Sequence, residues 1–176
     1  MNNLMNPKYP EGRNLFKDKN ILITAAAGSG IGFSTAKRFL EEGANIFISD
    51  IHQGRLNEAI DSLRKLDMGE VNGCLCNVTK DEHIETMFKE AIACYSNLNG
   101  VINNAGLGGE SKLEEMTNDA WDLVIDVTLN GAMKIMRAAI PVLKDTQGVI
   151  VNNASVLGWR AQAGQSHYAA AKAGVM

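Results

Sequence analysis

An apolar run, Ile21-Leu22-Ile23, breaks straight into Ala25-Ala26-Ala27-Gly28-Ser29-Gly30-Ile31-Gly32 and then into a helical pattern through Ala36, Phe39 and Leu40. No other stretch limits the fold as much. An unbroken β-branched and leucine run reads as a strand buried on both faces. Glycines directly after it let the backbone turn at once into a helix. The same alternation then recurs. Asn45 to Ser49, closed by Asp50, forms a second strand, and Leu56, Ala59, Ile60 and Leu63 lie at helical spacing. Val71 to Cys76 is a third strand, followed by a helix marked by Ile84, Met87, Phe88 and Ile92. Gly100 to Asn103 is a fourth, followed by a glycine-rich loop from Asn104 to Gly109. One long helix is expected from an N-cap at Thr117 towards Leu143. Gly148 to Asn152 is a fifth strand, and Gln165 opens the last helix. Strands and helices alternating over short connections specify an α/β, doubly wound parallel sheet.

Composition removes several function classes. At 176 residues the chain has the length of one domain. A net charge of −3 gives nucleic acid and anionic membranes nothing to hold. No apolar run reaches the length of a membrane span. Residues 1–15 are polar, contain Pro7 and Pro10, and lack the apolar core of a signal peptide. They are expected to be a flexible extension, with the domain covering 16–176. Cys74, Cys76 and Cys94 have no metal-ligand spacing. They read as buried small hydrophobes of a reducing cytoplasm, with Cys74 and Cys76 on opposite faces of their strand. His52, His83 and His167 form no ligand pair, so no metal is expected, and His167 is expected to face away from its neighbour Tyr168.

Two places carry chemistry. Gly28, Gly30 and Gly32 before a helix offer a pyrophosphate close backbone approach and the positive end of a helix dipole. The alternative is a flexible glycine-rich connection. Asp50 ends the second strand eighteen residues after Gly32. That position suits a carboxylate bonding the ribose 2′-OH of NAD and repelling the 2′-phosphate of NADP; a cap for the next helix is the other reading. Far along the chain, Tyr168 and Lys172 are four apart and share a helix face. An ammonium beside a phenol favours the charged form of the phenol. Ser155 lies thirteen residues before Tyr168, beyond the apolar run Val149-Ile150-Val151. Tyr-x-x-x-Lys alone arises often by chance.

Together these motifs resemble those of the short-chain dehydrogenase/reductase family, from about Phe16 to the end. The glycine turn of form T-G-x-x-x-G-x-G falls on Ala25-Ala26-x-x-x-Gly30-x-Gly32, the N-N-A-G turn on Asn103-Asn104-Ala105-Gly106, and the Ser with Tyr-x-x-x-Lys on Ser155, Tyr168 and Lys172. The resemblance implies a Rossmann-like sheet of order 3-2-1-4-5, lacking the last strands of the full family fold. It implies that Tyr168 is the general acid/base, that Lys172 lowers the phenol's pKa and holds the nicotinamide ribose, and that Ser155 donates to the substrate carbonyl. It further implies a turn (Ala26, Gly28, Ser29, Gly30, Ile31, Gly32) for the pyrophosphate, Asn77 and Val78 for adenine, and Asn104, Ala105 and Gly106 for the adenosine ribose side. The activity implied is hydride transfer between NAD, less readily NADP, and a secondary alcohol or ketone in a cytoplasmic homo-oligomer, dimer or tetramer. Leu107, Leu157 and Trp159 suggest a hydrophobic or cyclic substrate, with packing under a lid as the other reading, and residues from Asn152 on are similar to a branch linked to bacterial breakdown of steroid-derived and other alicyclic rings. The alternatives are an NADPH-dependent 3-oxoacyl thioester reductase and, in another class, a nucleotide-binding sensor or scaffold without catalysis.

Four departures from the family pattern stand out. Ala26 occupies the first-glycine position and Ala25 that of the threonine, so a methyl at Ala26 demands negative φ or a wider turn. Asn77 replaces an Asp and is expected to meet the adenine amino group with its amide oxygen. The long helix reads Thr128-Leu129-Asn130-Gly131 where the family has Asn-Leu-x-Gly; Asn130 lies roughly 200° around the helix from Thr128, leaving Thr128 as the candidate for part of that Asn's role. The family domain runs to roughly 250 residues, within the single-domain range, so these 176 residues are expected to be a fragment with the fifth strand at a sheet edge.

Overall fold

The computed structural model describes residues 8–176. Its elements are β1 (Asn20–Ile23), α1 (Ile31–Glu41), β2 (Asn45–Asp50), α2 (Gln53–Arg64), β3 (Val71–Leu75), α3 (Asp81–Tyr95) and β4 (Gly100–Asn103). After β4 come α4 (Asn118–Ile125), α5 (Gly131–Lys144), β5 (Val149–Asn152) and α6 (Ser166–Val175). All strands pair in parallel in the order β3-β2-β1-β4-β5, as expected. β1 is central, and its four residues are buried because helices cover both of its faces. Strand periodicity divides the core. Leu22, Phe47 and Val101 pack on one side with Met87, Phe88 and Ile135 from α3 and α5. Ile21, Ile23, Ile46 and Ile48 pack on the other with Leu40, Leu56 and Leu63 from α1 and α2. Each such side chain contributes roughly 1.5–3 kcal/mol by leaving water.

The register sets Ile23 against Ile48 and Asn103 against Asn152, so the carboxyl ends of β1, β2, β4 and β5 finish level. In an open parallel sheet that edge is where a crevice forms. β5 is an edge strand, with Val149 and Val151 exposed.

Several expectations need correction. The long helix is not one α-helix. The Thr117 hydroxyl does cap it, accepting from the Ala120 N–H at 3.2 Å, but a π-helical turn over Asp126–Asn130 separates α4 from α5. Cys74 and Cys76 pack on the same apolar cluster, as two residues one period apart in an extended strand must. Burial pushes the Cys74 thiol up to about 12 and that of Cys76 to about 11. Cys94 is exposed. The N-terminal extension falls partly outside the described residues. From Tyr9 on it is tied to α1: the Tyr9 hydroxyl donates to Glu41 and the Arg38 guanidinium to the Pro10 carbonyl. Phe16 packs edge-on against Phe39. Among the described residues no helix is long and apolar enough to cross a membrane.

Candidate active site

Thr24, buried at the end of β1, holds the site together. Its hydroxyl accepts from the N–H groups of Asn104 (3.0 Å) and Ala105 (2.9 Å). Asn104 returns the bond, donating from its side chain to the carbonyls of Thr24 and Ala25. Asn153 then donates to the Asn104 side-chain oxygen at 2.8 Å. Polar side chains thus lash the ends of β1, β4 and β5 together. Sequence reasoning missed Thr24 and Asn153; the paired asparagines Asn103-Asn104 and Asn152-Asn153 closing neighbouring apolar strands were the available signal.

At the glycine turn Ala26 has no positive φ, as its methyl was expected to demand. Left-handed backbone falls on Ala25, with φ of 51°, and on Gly28. Ala26 is fully buried and its N–H donates to the Ser49 carbonyl. Gly32 is required by close approach: a Cβ there would lie 2.4 Å from the Ala25 carbonyl oxygen and 2.7 Å from the Asn104 side chain. Gly30 caps α1 without a side-chain bond, and no acidic residue sits in the first turn. With Ser29 and Ile31 on either side of Gly30, this helix start presents N–H groups and a partial positive charge, fitting a pyrophosphate.

Asp50, at the end of β2, faces this turn. One carboxylate oxygen accepts from the Ala27 N–H (3.3 Å) and the other from the His52 N–H (3.1 Å). Arg55 stands 3.8 Å from the second oxygen. Asp50 therefore does some of the work of the helix-cap reading, bonding the residue that precedes α2, while it also lines a cleft of about 340 Å³. That cleft runs past Ile51, Asn77, Val78, Ala105, Gly106 and Leu107 to Leu123 and Val127. A larger hollow, of about 650 Å³ between α1 and the N-terminal segment, touches none of Ser155, Tyr168 or Lys172.

Asn77 does not offer its oxygen as expected. That oxygen already accepts from the Thr79 N–H (3.0 Å) and the Thr79 hydroxyl (2.9 Å). The Asn77 N–H donates to Nδ1 of His83, which anchors the backbone.

At the other end of the crevice, α6 carries Tyr168 and Lys172. Lys172 is buried, its Nζ donates to the Asn153 carbonyl at 2.5 Å, and it lies over the Tyr168 ring, 5.7 Å from the centroid. Burial holds its pKa below the usual 10.5. The loop after β4 crosses this pair. A Cβ on Gly106 would be 3.4 Å from the Lys172 Nζ, and one on Gly108 3.7 Å from the Tyr168 ring. A methyl at either position would sit in ordinary van der Waals contact, so the loop lies close against the pair without crowding it. Thr128, in the π turn, is also at hand: its hydroxyl bonds both backbone groups of Leu107. Asn130 instead donates to Asp126, away from the site as its rotation requires. Ser155 heads a 3₁₀ turn, and its hydroxyl accepts from the Leu157 N–H at 3.2 Å. That turn packs on α6, where a Cβ on Gly158 would be 3.0 Å from Lys172 and Ala173 backbone. Lys172, Tyr168, Thr128 and Gly106 are gathered in one place; Ser155 is beside them on the packed turn, with no hydrogen bond to Tyr168 among the described residues. His167 is buried next to Gly109.

Residues 19–176 match the short chain dehydrogenase family. The chain belongs to that family. Members of that family are oxidoreductases that act on CH–OH or carbonyl groups and bind NAD(P). The chain is 48% identical over 178 residues to a (5R,7aS)-5-hydroxy-7a-methyl-1-oxo-2,3,5,6,7,7a-hexahydro-1H-indene-carboxyl-CoA reductase of Mycobacterium tuberculosis, covering all of this chain and 68% of that protein. It is 35% identical over 163 residues to a 3-oxoacyl-(acyl-carrier-protein) reductase of Chlamydia muridarum, covering 92% of this chain and 65% of that one. A short chain dehydrogenase from Mycobacterium smegmatis superposes with a TM-score of 0.93 at 49% identity, covering 96% of this chain and 71% of that one. The chain thus spans about two thirds of the length of these relatives.

Proposed function

We propose that the cleft binds a nicotinamide dinucleotide, NAD in preference to NADP, and that the protein transfers hydride between it and a secondary alcohol or ketone on a hydrophobic ring system. One observation carries this reading. Gly106 lines the cleft that Asp50 opens and also lies directly on Lys172, so a single extended ligand reaches from the glycine turn to the Tyr168–Lys172 pair. The nicotinamide, when bound, supplies the hydride acceptor or donor. The chain's own residues do the rest. In oxidation, Tyr168 takes the proton from the alcohol oxygen as the hydride leaves its carbon; in reduction it returns that proton. Lys172, fixed by the Asn153 carbonyl, sets the cation beneath the phenol ring and within reach of a ribose. Ser155 donates to the substrate oxygen, stabilising the charge that develops there. Asn104 to Gly106 hold the ribose side, and Asn77 with Val78 the base.

Exposed Leu107 and Trp159 supply apolar surface beside the site, and the relative of 48% identity reported above is named for a fused-ring CoA compound. Both support a cyclic ketone or alcohol. Arg55, close to Asp50, favours a second reading, an NADPH-dependent 3-oxoacyl thioester reductase. The exposed side chains of Met133 and Ile140 on α5 fit a homo-oligomer, in the cytoplasm. The test is Tyr168→Phe. The variant should bind NAD with native affinity by fluorescence titration and lose turnover by roughly 10²–10⁴-fold. Turnover within tenfold of native would remove Tyr168 from the chemistry, and a native protein with no turnover on any alcohol or ketone would favour a nucleotide sensor.

A further inference from the structure

We infer that the base end of this cleft reads its nucleotide with a hydrogen-bond donor, the Asn77 amide NH2, and so accepts a 6-oxopurine at least as well as adenine. The inference rests on the proposed cofactor reading, which puts the purine against Asn77 and Val78. Asn77 lines the cleft and is half-buried. Both lone pairs of its side-chain oxygen are engaged, one by the Thr79 N–H and one by the Thr79 hydroxyl. The amide cannot simply turn over, because a backbone N–H only donates and the atom facing it must be the oxygen. Nor can the residue slide, since its own N–H is fixed on His83 Nδ1 at 3.2 Å. What is left for a ligand is the NH2, which makes no hydrogen bond among the described residues and is not sealed from solvent.

Adenine presents its own NH2 at C6, with an acceptor at N1. Two NH2 groups cannot bond each other, so the Asn77 amide can use adenine only through a ring nitrogen. A 6-oxopurine replaces that amino group by a carbonyl oxygen, which accepts directly. The apolar walls, Ile51, Val78 and Leu123, stack either base alike. A carboxylate at position 77 would reverse the preference, since it can only accept when ionised.

The experiment is a fluorescence titration of the native protein with NAD and with nicotinamide hypoxanthine dinucleotide, backed by competition with AMP and IMP. The hypoxanthine dinucleotide should bind within about threefold of NAD or more tightly. Asn77→Asp keeps an acceptor for both Thr79 bonds, so the loop stays anchored. It should move the ratio towards NAD by about tenfold, the effect of one hydrogen bond exchanged for a mismatch. A native preference for NAD of tenfold or more overturns the inference while leaving the cofactor reading intact. So does an unchanged ratio in Asn77→Asp. Failure of both dinucleotides to bind the native protein overturns the cofactor reading, and this inference with it.

Discussion

The Thr128 hydroxyl grips Leu107 twice, donating to its carbonyl and accepting from its N–H, at 2.9 Å each. Thr128 has no exposed surface, so its hydroxyl cannot turn to water instead. The grip crosses from the π turn to the loop that lies on Lys172 and Tyr168. Thr128→Val keeps the shape and leaves two backbone groups unpaired, at roughly 1–3 kcal/mol each if both stay buried. Urea denaturation should show a loss of that order, with a lower kcat. Thr128→Ser should be close to native in both. A valine variant as stable and active as native would show that the loop holds its place without the clamp.

Lys172 gives a stability signal whose sign is fixed. Burial lowers its pKa below 10.5 in the folded chain. Between that lowered value and 10.5 the unfolded chain holds a proton that the folded chain has released, so stability rises with pH across that window. Below the window the charge is carried in both states, and its desolvation opposes folding throughout. Urea midpoints measured at rising alkaline pH should climb in the native protein relative to Lys172→Met. A flat difference between the two would show that Lys172 is not desolvated.

Much of this was legible from sequence because both faces of the sheet are covered. A doubly buried strand must be apolar at every position, so Ile21 to Ile23 and Ile46 to Ile48 could hardly be read otherwise. The site residues that sit at strand ends were readable for the same reason, since they inherit their place from the strand. What escaped depends on contacts distant in sequence. The π turn arises where Thr128 bonds Leu107, twenty-one residues away, and helical periodicity holds no record of that. Asn77 looked available until Thr79, two residues on, was seen to take its oxygen. The left-handed backbone at Ala25 follows a Thr24 that engages Asn104 and Ala105, eighty residues later, and nothing in the local sequence marks it.

The glycine turn predicts opposite outcomes for two small changes. Ala25 holds a positive φ, which disfavours a residue with a Cβ by roughly 1–2 kcal/mol. Ala25→Gly relieves that strain and loosens the unfolded chain, so thermal unfolding should show a net gain of about 0.5–1 kcal/mol. Gly32→Ala drives a methyl into the Ala25 carbonyl and the Ala26 backbone. Overpacking of that kind costs roughly 1–3 kcal/mol, and here it also moves the turn that would hold the pyrophosphate. NAD affinity should fall in Gly32→Ala and hold in Ala25→Gly. If both variants bound and melted alike, the turn would not have the backbone described.

The N-terminal segment should come loose in acid, and Glu42 is the reason. Its carboxylate, almost wholly buried at the end of α1, accepts from the N–H groups of Arg13 (2.8 Å) and Leu15 (3.2 Å) and bonds the Arg38 guanidinium. The Arg13 N–H bond is the largest influence holding its pKa below the usual 4.5. A carboxylate with a lowered folded pKa contributes its full stabilisation above 4.5 and loses it as pH falls through the folded value. Glu42→Gln keeps one acceptor and carries no charge to titrate. The protection of the Arg13 and Leu15 amides, measured as exchange relative to the intrinsic rate at each pH, should therefore fall below pH 4.5 in the native protein from a high baseline at neutral pH. In Glu42→Gln those amides should exchange faster at neutral pH and show no further acid step. Native amides that stay protected while the carboxylate protonates would mean that the Phe16–Phe39 contact, not Glu42, holds the segment on α1.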